Sequence, residues 1–134
     1  MTRPLQISAA LALISLAGAG AAARNRGVDR RGVLVAIARA PAKARTWKNP
    51  YDNQQGAVDA GAKLYRQHCA ECHGDDARGI GHAANLHSTA VQNATPGELV
   101  WFLRNGNLAS GMPSWSGLPE QRRWQIVSYL KTLN

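Results

Sequence analysis

Cys69-Ala70-Glu71-Cys72-His73 is the stretch on which the fold turns. Two thiols three positions apart, with an imidazole directly after the second, match the spacing for attaching a c-type haem. Two thiols add across the two vinyl groups on one edge of the porphyrin, and the adjoining histidine reaches the iron. The spacing therefore assigns Cys69 and Cys72 to covalent haem attachment and His73 to the proximal axial position. Two simpler readings compete. A redox-active thiol pair or disulfide leaves His73 without a role. Structural zinc wants four ligands, and the remaining histidines, His68, His82 and His87, lack the paired spacing of a finger.

Upstream of the cysteines, residues 54–68 read as a helix that follows a turn at Pro50. Val58, Ala62 and Tyr65 recur at spacings of three and four and, with Gly61 between them, share a face. Glycine inside a helix costs ~1 kcal/mol against alanine, so Gly61 is expected to serve close helix packing. Downstream, residues 74–93 lack any periodic pattern and read as an irregular loop. Thr95-Pro96-Gly97-Glu98 then marks a helix start, with Thr95 as N-cap, Pro96 at the first helical position and Glu98 completing a capping box. Leu99, Phe102 and Leu103 supply its apolar face and Gly106 ends it. A second loop, 107–118, contains Gly111-Met112-Pro113. Pro119 opens the last helix, with Trp124, Ile126, Val127, Leu130 and Leu133 at helical spacing.

No strand pattern is evident, so the expected fold class is all-α. Residues 47–134 hold one phenylalanine, and domains this short bury a modest share of their surface and often need a staple or a cofactor. The chain has two methionines, Met1 and Met112. Met112 follows in a loop flanked by helices and is the candidate distal axial iron ligand. Flexible core filling is the ordinary role of such a residue, and His82 or His87 would be the alternatives as a second histidine ligand.

The 134 residues allow one domain and a processed or flexible segment. Residues 1–23 read as an export signal: Arg3, an apolar stretch from Leu5 to Ala19, then small residues ending in Ala21-Ala22-Ala23, with cleavage expected before Arg24. The alternative is an uncleaved membrane anchor, since the stretch falls within the ~17 to 25 residues that span a bilayer. The expected location is accordingly periplasmic, or membrane-anchored in the second case. Residues 24–46 carry seven basic side chains against Asp29, a balance of +6 out of a formal net charge of +8. They read as a basic flexible linker, with membrane-surface contact as its functional alternative. Residues 47–134 have eight basic and seven acidic side chains, a nearly neutral domain, which argues against nucleic-acid binding.

Residues 49–134 resemble the monohaem class I cytochromes c. The resemblance rests on Cys69-x-x-Cys72-His73-Gly74, on Gly61 and Tyr65, on Gly111-Met112-Pro113, and on Ile126 and Tyr129. It implies a small fold of three to five helices wrapped around one covalent haem c, with Gly61 and Tyr65 meeting Ile126 and Tyr129 where the first and last helices cross. Family members commonly carry a Gly-Pro-x-Leu run whose proline carbonyl accepts a hydrogen bond from the ligand histidine. Here the run is Ala83-Ala84-Asn85-Leu86, and an alanine carbonyl is expected to take over. The resemblance implies a carrier of single electrons between a periplasmic or membrane-bound donor and acceptor, with a dehydrogenase or terminal oxidase as partner, and not an enzyme by itself. The alternatives are a haem-bearing subunit docked in a larger complex, or a haem enzyme or sensor with an open sixth position. Trp115, three residues past Met112, is a candidate for the exposed haem edge where a partner docks, with ordinary packing as the alternative.

Overall fold

Gly61 sets how the two longest helices among the described residues meet. In the computed structural model, which describes residues 32–134, α1 (Gln55–His68) crosses the C-terminal helix (Glu120–Leu130) at this residue. A Cβ at Gly61 would lie 1.9 Å from the carbonyl oxygen of Gln125 and 2.9 Å from Tyr129 Cβ. The backbones therefore touch, and the side chains on either side interlock. Tyr65 and Tyr129 pack with ring centroids 5.2 Å apart and planes tilted by 50°. Tyr65, Ile126 and Val127 are the largest fully buried side chains. The buried face of α1 is Ala57, Gly61, Leu64 and Tyr65. Val58 and Ala62 are half-buried instead, because the crossing through Gly61 centres the contact on that residue.

Two single helical turns follow α1: α2 (Ala70–His73) and α3 (Thr89–Gln92). The second lies inside the segment expected to be irregular, and it folds because Ala90 and Val91 have a core to enter. Next comes α4 (Pro96–Asn105) with both halves of its capping box formed. Thr95 Oγ1 accepts from the Glu98 amide at 3.2 Å, and the Thr95 amide donates to Glu98 Oε2 at 2.8 Å. Leu99, Val100 and Leu103 are its buried apolar side chains, while Phe102 is half-buried. The helix stops at Gly106, whose φ of +68° suits glycine. A short 3-10 turn, Leu108–Ser110, precedes the last helix, α5 (Glu120–Leu130). That helix ends before Leu133, which packs on the core from beyond it. Among the described residues the only β pairing is an isolated bridge between Asn107 and Met112. The fold is all-α, as expected.

The flexible linker expected over residues 24–46 does not hold for its second half. Residues 32–37 are helical and Ala42–Thr46 form a 3-10 turn. Ala36, Ile37, Ala40 and Ala44 are buried. Arg45 Nε lies 2.8 Å from Glu98 Oε1, so the capping-box carboxylate also holds the arm. The contact is close enough that a Cβ on Gly97 would stand 1.8 Å from the Ala44 carbonyl oxygen. The alanines and Ile37 form a narrow apolar stripe, and a count of arginines conceals it. The rest of the linker, 24–31, and the proposed export segment, 1–23, lie outside the described residues.

Gly97→Ala should therefore push the arm off α4. Overpacking of this kind costs ~1–3 kcal/mol, and trypsin should cut at Arg39, Lys43 and Arg45 at least severalfold faster than in the parent chain. Unchanged cleavage would show that the arm does not depend on this contact.

Candidate functional site

The cysteines sit where α1 runs out. The Cys69 amide still donates to the Tyr65 carbonyl at 2.8 Å, and the His73 amide donates to the Cys69 carbonyl at 2.9 Å. Cys69, Cys72 and His73 thus occupy one turn, and residues three and four apart on a helix are neighbours on its surface. Both cysteines are free thiols, Cys69 half-buried and Cys72 exposed. The chain leaves the turn at Gly74, with φ of +78°, and the buried Tyr65 hydroxyl donates to the Gly74 carbonyl at 2.6 Å. That bond ties the end of the motif to the helix crossing.

Residues 77–86 fold back over His73. The Gly79 amide donates to the His73 carbonyl at 2.8 Å and the Ile80 amide to the Cys72 carbonyl at 3.0 Å. His73 Nδ1 is 2.8 Å from the Ala84 carbonyl oxygen. A carbonyl only accepts, so Nδ1 carries the proton, and in the neutral ring Nε2 presents its lone pair, the tautomer that binds a metal through Nε2. The alanine does take the place of the family's proline. Other contacts hold the loop: Gly79, at φ of +86°, lets the chain pass so close that a Cβ there would lie 2.2 Å from the Ala83 carbonyl oxygen, and the Leu86 amide donates to the Ala77 carbonyl at 2.8 Å.

Burial, and secondarily the neighbouring Cys72, push the Cys69 thiol up to about 11. A redox pair works through a thiolate of lowered pKa, so the electrostatics here disfavour thiol–disulfide chemistry. His87 Nε2 donates to the Asp76 carbonyl at 2.9 Å, and His82 is exposed. Neither joins the cysteine turn through a hydrogen bond.

Met112 is half-buried and packs on the same hydrophobic core as Cys69, Ala70 and Leu86. Its backbone is held on both sides. The Asn107 amide donates to the Met112 carbonyl at 2.9 Å, and the Met112 amide donates to the Asn107 carbonyl at 3.1 Å. Gly111, at φ +80°, turns the chain into the bridge. Pro113 passes so close to Gly106 that a Cβ there would meet its carbonyl at 2.6 Å. The Trp115 amide then donates to the Leu103 carbonyl at 2.9 Å. Its ring lies against His68, centroids 5.4 Å apart, directly before Cys69 in the chain.

Arg123 is a participant that the sequence did not single out. Only 7% exposed, it donates from Nη1 to the carbonyls of Trp115 at 3.3 Å, Ser116 at 3.2 Å and Leu118. An Arg122-Arg123 pair on an amphipathic helix reads as a solvated face, and backbone carbonyls leave no sequence signature.

A haem fits these residues. Two unpaired thiols and an imidazole lone pair stand on one turn, and large apolar side chains beside the turn and in the Met112 loop face outward. Ile80 is 60% and Leu108 77% exposed, which suits contact with a flat apolar ring.

Comparison with known proteins agrees. Residues 56–130 match the family model described as cytochrome c oxidase, cbb3-type, subunit III. Cytochrome c550 of Pseudomonas aeruginosa is 31% identical over 98% of this chain and 93% of its own length. No solved structure matches the chain at a significant level.

Proposed function

This chain belongs to the cytochrome c family, and from that premise we propose that it shuttles single electrons with His73 and Met112 as the two axial ligands of its haem c. Haem c, the covalent cofactor of the family, supplies the one-electron couple. Cys69 and Cys72 fix the cofactor through thioether bonds. His73 offers Nε2, and the hydrogen bond from Nδ1 to Ala84 orients the ring and raises its basicity. That bond is the observation that carries the reading, because with Nδ1 engaged on the Ala84 carbonyl it leaves Nε2 free to ligate. Met112 offers a neutral, weak sulfur donor, and a histidine–methionine pair raises the potential. His73 and Met112 together would hold the iron and leave no position open to a substrate, the arrangement of a carrier rather than of a haem enzyme or sensor.

The expected partners are redox proteins, a dehydrogenase on the donor side or a terminal oxidase on the acceptor side. A place outside the cytoplasm is supported by the export-like sequence at 1–23. Among the described residues no helix is long and apolar enough to cross a membrane. Exposed Leu34 and Val35, near Arg39 and Lys43, support contact of the arm with an anionic lipid surface.

Optical spectra of the oxidised and reduced protein, before and after denaturation and solvent extraction, test the attachment. Haem should remain with the polypeptide in the parent chain and be extractable after Cys69→Ser plus Cys72→Ser. A parent chain that releases its haem would refute the proposed thioether bonds.

A further inference from the structure

A thioether is a weak ligand, so a methionine stays on a metal only if its loop already holds the sulfur in place. In this chain Ser114 Oγ donates to the Arg104 carbonyl at 2.6 Å and the Trp115 amide to the Leu103 carbonyl at 2.9 Å, and the loop 107–118 carries two clamps besides these. The first is the Asn107–Met112 bridge, with its pair of amide bonds at 2.9 and 3.1 Å. The second lies three to six residues past Met112, where Arg123 gathers the carbonyls of Trp115, Ser116 and Leu118.

The chemistry of that second clamp is unusual for a structural contact. Among the described residues no carboxylate pairs with Arg123, since the ion pairs there are Arg45 with Glu98 and Arg78 with Asp76. Its Nε also has no hydrogen-bond partner among them. A cation taken from water without a counter-ion is expensive to keep, and an apolar side chain would fill the same place on α5 without that penalty. Three carbonyls converging from one short turn are the only return the guanidinium obtains. They come from the turn that links the Met112 loop to α5, and the intervening Trp115 amide is bonded to Leu103 at 2.9 Å.

We infer that Arg123 is a positioning residue for Met112: its guanidinium closes the turn 115–118 and so holds the preceding Met112-Pro113-Ser114 segment against the haem. The inference rests on the reading of Met112 as an axial ligand and goes beyond it, since it assigns the strength of that ligation to a side chain on another helix. Electrically the guanidinium acts here as a bridge between carbonyl dipoles, and geometrically as a spacer that fixes where α5 begins relative to the loop. A lysine, with a shorter reach and a point charge, retains part of the first action and little of the second.

The test uses the haem-loaded full chain and its Arg123→Met and Arg123→Lys variants, with Met112→Ala in parallel. Imidazole is titrated into the oxidised proteins and followed optically, and amide hydrogen exchange is measured for residues 112–118. Arg123→Met should bind imidazole at least tenfold more tightly than the parent chain and exchange at least tenfold faster over 112–118, with exchange at the α1–α5 crossing within threefold. Arg123→Lys should fall between the two, and it carries the comparison alone should Arg123→Met fail to fold. Unchanged imidazole affinity in both Arg123 variants, with or without faster exchange, overturns the inference while leaving the reading of Met112 intact. A failure of that reading shows separately, as a Met112→Ala protein whose imidazole affinity equals the parent's, and this result overturns the inference too.

Discussion

Gly61→Ala should be among the most destabilising single substitutions available to this chain. The added methyl would sit 1.9 Å from the Gln125 carbonyl oxygen and 2.9 Å from Tyr129 Cβ. The first neighbour is helix backbone and cannot rotate away, so α1 and α5 must separate or shift. Overpacking typically costs ~1–3 kcal/mol where side chains can adjust, and contact with rigid backbone places this site at or above the upper end. Separation would also loosen the Tyr65–Tyr129 contact at 5.2 Å and, through it, the hydrogen bond from Tyr65 to Gly74 at the end of the cysteine turn. A loss of about 3 kcal/mol lowers the melting temperature of a domain this size by roughly 12–24 °C. Differential scanning calorimetry of the haem-loaded protein checks it. A shift of only a degree or two would mean that the crossing yields more easily than its geometry implies.

The parts of the fold legible in the sequence are those whose cause is local. Thr95-Pro96-Gly97-Glu98 announces its helix because a capping box is made by residues three apart, and both of its bonds form. Gly61 was legible because glycine inside a helix has a cost that only close packing offsets. The arm 32–46 departs from the flexible linker that its composition implies, because many charged residues conceal its four buried apolar side chains, Ala36, Ile37, Ala40 and Ala44. The docking place of Ala44, the first turn of α4 at Gly97, is distant in sequence. In the sequence Gly97 stands only as a spacer inside the capping box, and its tight approach to Ala44 depends on an element no local pattern identifies.

The site divides in the same way. Cys69, Cys72 and His73 are contiguous, and attachment chemistry dictates their spacing. The acceptor for His73 Nδ1 is a main-chain carbonyl, so side-chain identity at position 84 carries little information. The close approach of Gly79, at φ +86°, to Ala83 is visible only in three dimensions. Arg123 is the extreme case: its partners are three carbonyls, and nothing in a charged pair of arginines distinguishes the one that turns inward.

Met112→Ala separates the two roles this side chain can have. As core filling, a half-buried methionine contributes through packing, and truncation would cost on the order of 1–2 kcal/mol, below the ~2–5 kcal/mol for fully buried positions. The loop should survive, because its bridge to Asn107 and the Trp115–Leu103 bond are made by backbone atoms. As an axial ligand, Met112 contributes something that stability does not register. Its loss removes the sulfur donor that favours the reduced iron, and for a one-electron couple each tenfold change in relative affinity for the two oxidation states is ~59 mV. Axial ligation sets haem potentials over a range of ≈0.8 V, so the expected result is a fall on the order of 100 mV or more in a redox titration. Carbon monoxide should also bind the reduced variant near neutral pH and leave the parent chain untouched. A variant with the parent's potential and no carbon monoxide binding would return Met112 to the core and reopen the sixth position to His82 or His87. The exposure of His82 and the bond from His87 to Asp76 make the first result the expected one.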